Sequence, residues 1–241
     1  MIKAPAGRRV PLFLCIFSVR RPLRRAGNFT VDFNTVVRII AVMAKHSHRS
    51  TILEAGRKVM FRKGYIGAGV RDIVAEAGVP QGSFTNHFRS KEEFTKEVLD
   101  LYFQDLQCAI ETALGDVTLR PRQRIEKYLD IITGRLAADG FSRGCLIGDL
   151  SLEAAPQSEM LRTRLAEIFG EWSAPFTACI AEGQASGEID DAIGSEDLAE
   201  FLLASWEGAI LRMKVSRDAQ PLERFKKIVF ATVFKDHTHE T

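Results

Sequence analysis

Closely spaced cysteines, long apolar runs and strand-like alternation are all missing from this chain of 241 residues. Its cysteines, Cys15, Cys108, Cys145 and Cys179, lie far apart with no C-x-x-C pair, which excludes a zinc ribbon and a disulfide framework. Such isolated thiols suit a reducing cytoplasm. The longest apolar run, Val10 to Val19, is interrupted by Pro11 and falls short of the roughly 18 residues that span a bilayer. It follows Arg8 and Arg9 as a secretory signal does, but it leads into Arg20-Arg21-Pro22-Leu23-Arg24-Arg25 instead of a small-residue cleavage site, so it is not read as a leader. His46 with His48, and His237 with His239, have no further ligands nearby, so neither a metal nor a cofactor is expected. Gly64, Gly67 and Gly69 are in the wrong order and context for dinucleotide binding.

Charge is present but unevenly placed. The net charge of +2 conceals local balances of +7 over residues 1–43, +6 over residues 44–91 and −11 over the remainder. A basic N-terminal part joined to an acidic remainder suits a polyanion partner for the first part alone. Residues 1–46 show no sustained periodicity and are rich in Arg. They are expected to be a disordered basic extension, or the product of a start placed upstream of Met43, with a phosphate-contacting arm as the alternative.

From Ser47 the pattern turns helical. Ile52, Ala55, Val59 and Lys63 share a face up to Gly64, which predicts a first helix over 48–63. Val70, Ile73, Val74 and Ala77 fall at i, i+3, i+4 and i+7, with Arg71, Asp72 and Glu76 facing outward, and Gly78 stands at the C-cap. This predicts a second helix over 70–77. Pro80 suits a helix start and Phe84 and Phe88 lie one turn apart, predicting a third helix over 80–87. Ser90 and Glu93 form a capping box for a fourth. Beyond Gly115 every signal stays helical. One run starts at Pro121, a short one covers 146–154, and a stripe from Leu161 to Ile180 is expected to kink near 171–175 at Pro175. Ser195 is expected to cap the next helix, and Pro221 to open the last.

The fold class is therefore all-α, with a three-helix helix-turn-helix domain over 47–93 and a C-terminal helical domain over 94–241. Two short helices joined by the tight Gly78-Val79 turn match the geometry that sets a recognition helix in the major groove of double-stranded DNA. The candidate reading face carries Gln81, Gly82, Ser83, Thr85, Asn86 and His87, whose amides and hydroxyls suit base edges and phosphates. Arg71 on the second helix and Lys91 at the start of the fourth supply positive charge for phosphates.

The stretches Phe61-Arg-Lys-Gly64-Tyr65, Val70-Arg-Asp-Ile73-Val-Ala-Glu-Ala77-Gly78-Val79 and Gly82-Ser-Phe-Thr-Asn-His87-Phe88-Arg-Ser-Lys91-Glu resemble the DNA-binding domain of the TetR family of regulators. The resemblance covers about residues 47–93. It implies a homodimer on a palindromic operator, a C-terminal domain that binds a small-molecule effector, and usually a repressor. The chain departs from the family pattern at Thr85, where Tyr is common, and near Gly69, where Ser or Thr is common.

Arg143-Gly-Cys-Leu-Ile-Gly-Asp-Leu-Ser-Leu-Glu153 is similar to a segment found in a subset of the family, in the region that often lines the effector pocket. Cys145, Asp149, Glu153, Trp172, Phe176 and Trp206 are the pocket candidates, because such sites are mostly apolar with a few polar groups. The competing reading makes the aromatic residues core and the thiols of Cys108 and Cys145 buried and inert. Ala204, Ser205, Gly208 and Ala209 would let helices approach closely, within one subunit or between two. Gly140-Phe-Ser142-Arg-Gly144 satisfies G-x-S-x-G, but a nucleophile elbow follows a strand and this one follows a helix pattern, so no enzyme is expected. The rival functions are a helical protein-interaction module and an enzyme without DNA binding.

Overall fold

The computed structural model describes residues 33–235, with side-chain surroundings from residue 48 onward. Expectations for residues 1–32, for Cys15 and for the side chains of His46, His237 and His239 lie outside the described residues. The chain divides into Met1–Val42 and Met43–Thr241. Of the first unit only the start of a helix is described, and the functional elements all lie in the second.

Among the described residues all regular structure is helical: α1 (Phe33–Gly67), α2 (Val70–Ala77), α3 (Gly82–Thr85), α4 (Lys91–Leu114), α5 (Pro121–Ala138), α6 (Leu146–Glu153), α7 (Glu159–Ala185), α8 (Ser195–Ser216) and α9 (Gln220–Thr232). No described helix is long and apolar enough to cross a membrane.

Three boundaries differ from the sequence expectation. Helix α1 begins at Phe33, well upstream of 48, and its helical backbone is interrupted at Gly64, with φ 69° and ψ −175°. The expected third helix over 80–87 contracts to Gly82–Thr85, with Pro80 outside it. There the carbonyl of Phe84 accepts from the N–H of both His87 (3.0 Å) and Phe88 (2.9 Å). A tight turn thus keeps Phe88 beside Phe84 without a second helical turn. Ser195 is the first residue of α8 and not its cap, which falls on Gly194 with no side-chain hydrogen bond.

Other local signals act as their chemistry dictates. Gly78 takes the left-handed conformation (φ 65°), donating to Ala75 O at 3.2 Å while Val79 N donates to Val74 O at 3.1 Å. This paired closure satisfies two otherwise orphaned carbonyls at the end of α2 and sets the sharp exit toward α3. The Ser90 Oγ accepts from Glu93 N at 3.1 Å, and the Glu93 carboxylate reaches back to the N–H of Arg89 at 3.3 Å, one residue earlier than a regular capping box requires. Helix α7 runs on through Pro175, which has no N–H to offer the carbonyl of Glu171.

The core of the C-terminal part forms where α4 packs on α5 and α7, and α7 and α9 pack on α8. Trp172, Trp206, Tyr128, Phe103 and Phe176 are among its largest fully buried side chains. Burying aromatic side chains of this size stabilises by a few kcal/mol each, the dominant favourable term in such a core. Arg124, also buried, is held by a two-point pair with Glu182 (2.8 and 2.5 Å) that ties α5 to α7.

Candidate DNA interface and effector region

A ring cluster fixes the reading unit from below. Phe84 of α3 lies 5.0 Å from Phe94 of α4 and 5.3 Å from Phe88, and Phe88 meets Phe94 edge-on at 4.8 Å. With Ile73 and Val74 of α2 also buried, the inner faces of α2 and α3 are spent on packing and the opposite faces must be polar. Gln81, Gly82, Thr85 and Asn86 are exposed, as is Arg71 on α2; Ser83, His87 and Lys91 are half-buried. The Thr85 hydroxyl donates to Gly82 O at 3.1 Å, so it is oriented by its own helix turn.

Charges around this face are arranged asymmetrically. The acids of α2 are engaged with α1, Asp72 with Lys63 at 2.9 Å and Glu76 with Arg62 at 2.7 Å. The Lys63 hydrogen bond, then the Gly69 N–H at 3.3 Å, hold the Asp72 carboxyl below its usual range. Asp72 thereby serves the start of α2, where Gly69 has no side chain to cap it. Arg71 has no carboxylate partner among the described residues. Neither does Arg89, an exposed cation directly after Phe88 that no sequence motif singles out. Its basic type next to an inward Phe was the available signal, and its exposure became visible only in the structure. Lys91 is more constrained than expected. Its ammonium lies 4.5 Å from the Tyr65 ring centroid and donates to Ile66 O at 3.4 Å, and partial burial lowers its pKa.

The effector candidates separate into two groups. Cys145, Trp172, Phe176 and Trp206 are buried. Trp172 Nε1 donates to the Tyr128 hydroxyl at 3.1 Å, Phe176 meets the same tyrosine edge-on at 4.9 Å, and Trp206 packs on Phe225 of α9 at 5.3 Å. Cys145 lies beside the Tyr102 hydroxyl and the Glu207 carboxylate. Burial, with Glu207 adding, pushes the Cys145 thiol well up, the inert state expected of it. Cys108 is the opposite case: it is exposed, because it falls on the outer side of α4 while Ala109 and Ile110 face inward.

Asp149 and Glu153 face away from this core. Asp149 accepts from Lys214 of α8 at 2.7 and 2.8 Å, and Glu153 accepts from the N–H of Ile66 at 3.1 Å, a contact between α6 and the end of α1. Both line a cleft of about 710 Å³ bounded by the C-terminal end of α1, α6 and the end of α8.

Tyr102, Tyr128 and Glu207 belong to no motif that marks them in the sequence. Burial raises the Glu207 carboxyl to about 7, with the neighbouring Cys145 thiol acting in the opposite direction. Its Oε1 and the Nε1 of Trp206 are buried without a hydrogen-bond partner among the described residues. Below about pH 4.5 this carboxyl is protonated whether the chain is folded or not. As pH rises the unfolded chain ionises first while the folded chain holds its proton until about 7, so folding stability falls across that window. Glu207→Gln should therefore gain roughly 1–3 kcal/mol over wild type at pH 8 and little at pH 4. Urea denaturation at both values measures it, and an equal gain at both would show that charge is not the cause.

Gly140 to Gly144 forms no nucleophile elbow. It follows the C-terminal end of α5, and the Ser142 hydroxyl donates to the Asp139 carbonyl at 2.7 Å.

A short, sharply turned helix pair with an exposed polar and cationic face, packed on a larger set of helices through one shared hydrophobic core, defines a DNA-binding transcription regulator. Residues 52–98 match the family described as bacterial regulatory proteins of the tetR family, and residues 121–229 match a tetracyclin repressor-like C-terminal domain. The transcriptional repressor DhaR of Mycobacterium sp. strain GP1 is 46% identical over 78% of this chain and 93% of its own length. The transcriptional regulator AcuR of Cereibacter sphaeroides is 32% identical over 82% and 89% respectively. Among solved structures, a regulatory protein TetR from Rhodobacter sphaeroides superposes with a TM-score of 0.71 at 31% identity, covering 74% of this chain and 95% of that one. The reduced form of Escherichia coli NemR gives 0.70 at 26% identity, over 80% and 100%. The chain belongs to the TetR family of transcriptional regulators, and its function is regulation of transcription through DNA, not catalysis.

Proposed function

We propose that this chain is a repressor that binds a palindromic operator as a homodimer in the cytoplasm and releases it when a small molecule occupies its C-terminal domain. The observation that carries the reading is the outer face of α2 and α3: exposed amides and a hydroxyl, the acids Asp72 and Glu76 both paired with α1, and at its edges the cations Arg71 and Arg89, without a carboxylate partner among the described residues. Arg71, Gln81, Gly82, Ser83, Thr85, Asn86, His87 and Lys91 are the proposed DNA contacts. DhaR and NemR are named as repressors, which favours that sign here. Residues 47–93 are assigned to DNA, 94–241 to effector and dimer, and 1–46 to a basic extension. Cys145, Trp172, Phe176 and Trp206, with Asp149 and Glu153 nearer the DNA-binding unit, are the effector candidates. A mobility-shift titration with the DNA flanking its own gene tests the reading: saturable, salt-sensitive binding to one palindrome supports it, and equal affinity for scrambled DNA defeats it.

The second subunit is argued from α8. Phe201, Ala204, Gly208, Leu211 and Val215 follow a 3-4 heptad spacing and are all exposed, with Phe201 at 50%, Leu211 at 53% and Val215 at 80%. An apolar seam with small residues at its centre suits a helix of a second copy. Leu211→Glu should leave a folded monomer in sedimentation and lower operator affinity about a hundredfold, the avidity of two linked half-site contacts. A Leu211→Glu protein that remains dimeric would place the interface elsewhere.

A further inference from the structure

The cleft between the end of α1, α6 and the end of α8 has a lining that DNA reading does not use. Six cations line it, Lys58, Arg62, Lys63, Arg143, Lys214 and Arg217, against two acids, Asp149 and Glu153. Four of the cations are occupied: Arg62 with Glu76, Lys63 with Asp72, Arg143 with Asp139, and Lys214 with Asp149. Glu153 is engaged by the N–H of Ile66. Lys58 of α1 and Arg217 after α8 are left with no carboxylate partner among the described residues, facing one cleft from two elements far apart in sequence.

Backbone conformation points to the same place. Among the described residues only Phe141 and Arg217 hold a positive φ without being glycine, 55° and 57°. Arg217 lines the cleft, and Phe141 directly precedes Ser142 and Arg143, which also line it. Arg217 is the left-handed cap of α8, its N–H donating to Met213 O at 2.8 Å, which fixes where its side chain leaves the helix end beside the cleft. The volume of about 710 Å³ lies in the range of small-molecule sites. Phe61 contributes an apolar wall, with the Arg143 guanidinium 5.3 Å from its ring centroid.

We propose that this cleft binds a small organic phosphate, with Lys58 and Arg217 holding the phosphoryl oxygens and the Phe61 wall receiving the remainder of the molecule. Ammonium and guanidinium donors from two elements of one cleft suit a multiply charged anion, and the guanidinium fork can engage two phosphoryl oxygens at once. Because the donors come from α1 on one side and from beyond α8 on the other, occupancy links the DNA-binding unit to the C-terminal core. The site is distinct from the buried aromatic region around Trp172 and Trp206 but shares Asp149 and Glu153 with the effector candidates above, and its assignment rests on Lys58 and Arg217, which that reading does not use.

Isothermal titration of the full chain with inorganic pyrophosphate tests the proposal, with citrate as the carboxylate comparison. One saturable site per chain is expected, weakening with salt. Lys58→Gln and Arg217→Gly should each weaken it about tenfold, the loss of one charge-assisted contact. Both positions are exposed, and glycine favours the backbone conformation at 217, so these variants should melt no lower than wild type. Arg71→Ala on the reading face should leave pyrophosphate binding unchanged. No saturable binding, a loss that follows Arg71→Ala instead of the cleft variants, or citrate binding as tightly as pyrophosphate would each overturn the assignment.

Discussion

Replacing Gly64 by alanine should cost about 2–3 kcal/mol of folding stability, because φ 69° with ψ −175° belongs to a region that only glycine occupies comfortably. The same substitution meets a second obstacle: a β-carbon at 64 would stand 2.2 and 2.3 Å from the two carboxylate oxygens of Glu153. Differential scanning calorimetry should show a midpoint lowered by roughly 5–10 °C. Adding Glu153→Ala to Gly64→Ala should recover part of the loss, the part due to the clash, and leave the dihedral strain. Unchanged melting of Gly64→Ala would mean that α1 can continue as a regular helix through this position. The effect has a functional side, because Gly64, Ile66 and Glu153 join the last turn of α1 to α6, and α6 is continuous with the Cys145 and Glu207 region. Glu153→Ala alone should fold well but bind the operator with an affinity less responsive to effector.

Operator affinity should fall by about a thousandfold or more between 50 and 200 mM salt if six or more phosphates are contacted, since each neutralised phosphate releases condensed counterions. Within that large electrostatic contribution the two roles on the reading face separate. Asn86, exposed with an amide that can both donate and accept, should govern preference: Asn86→Ala is expected to alter the ranking of operator variants by about 1–3 kcal/mol at one base pair. Lys91→Ala should weaken all sequences alike and reduce the salt slope by about one. The lysine's own setting refines this expectation. Its ammonium is held against Tyr65 and the Ile66 carbonyl, so it meets DNA already oriented and its loss also removes a tie between α4 and the end of α1. Fluorescence anisotropy across operator variants at several salt concentrations measures both effects. An even loss for Asn86→Ala across all variants would move the reading face away from α3.

The helix-turn-helix was legible because its signals are local. Ile73, Val74 and Ala77 give the inner stripe of α2, Gly78 its left-handed end, and Ser90 with Glu93 the start of α4, each within a few residues of the structure it specifies. The effector region was legible only in composition. Trp172, Phe176 and Trp206 were recognisable as a stripe, but their neighbours Tyr128, Tyr102 and Glu207 come from helices distant in sequence, and no periodicity predicts which helix a polar residue will meet. The early part of α1 was illegible for a related reason: its helical residues begin at Phe33, while the apolar spacing that announces a helix begins only near residue 48.

By itself the sequence determined that the protein is helical, that its basic segment carries a DNA-reading pair of helices, and that an acidic helical domain succeeds it. Those properties arise from short-range spacing, capping chemistry and charge, which act along the chain. Only the tertiary structure decided that Asp149 pairs with Lys214 of α8 while Glu153 meets the end of α1, that the Glu207 carboxyl is buried beside Cys145, and that Lys58 and Arg217 face one cleft. Which partner a side chain meets depends on how whole helices pack, and packing is a property of surfaces brought together from different parts of the chain.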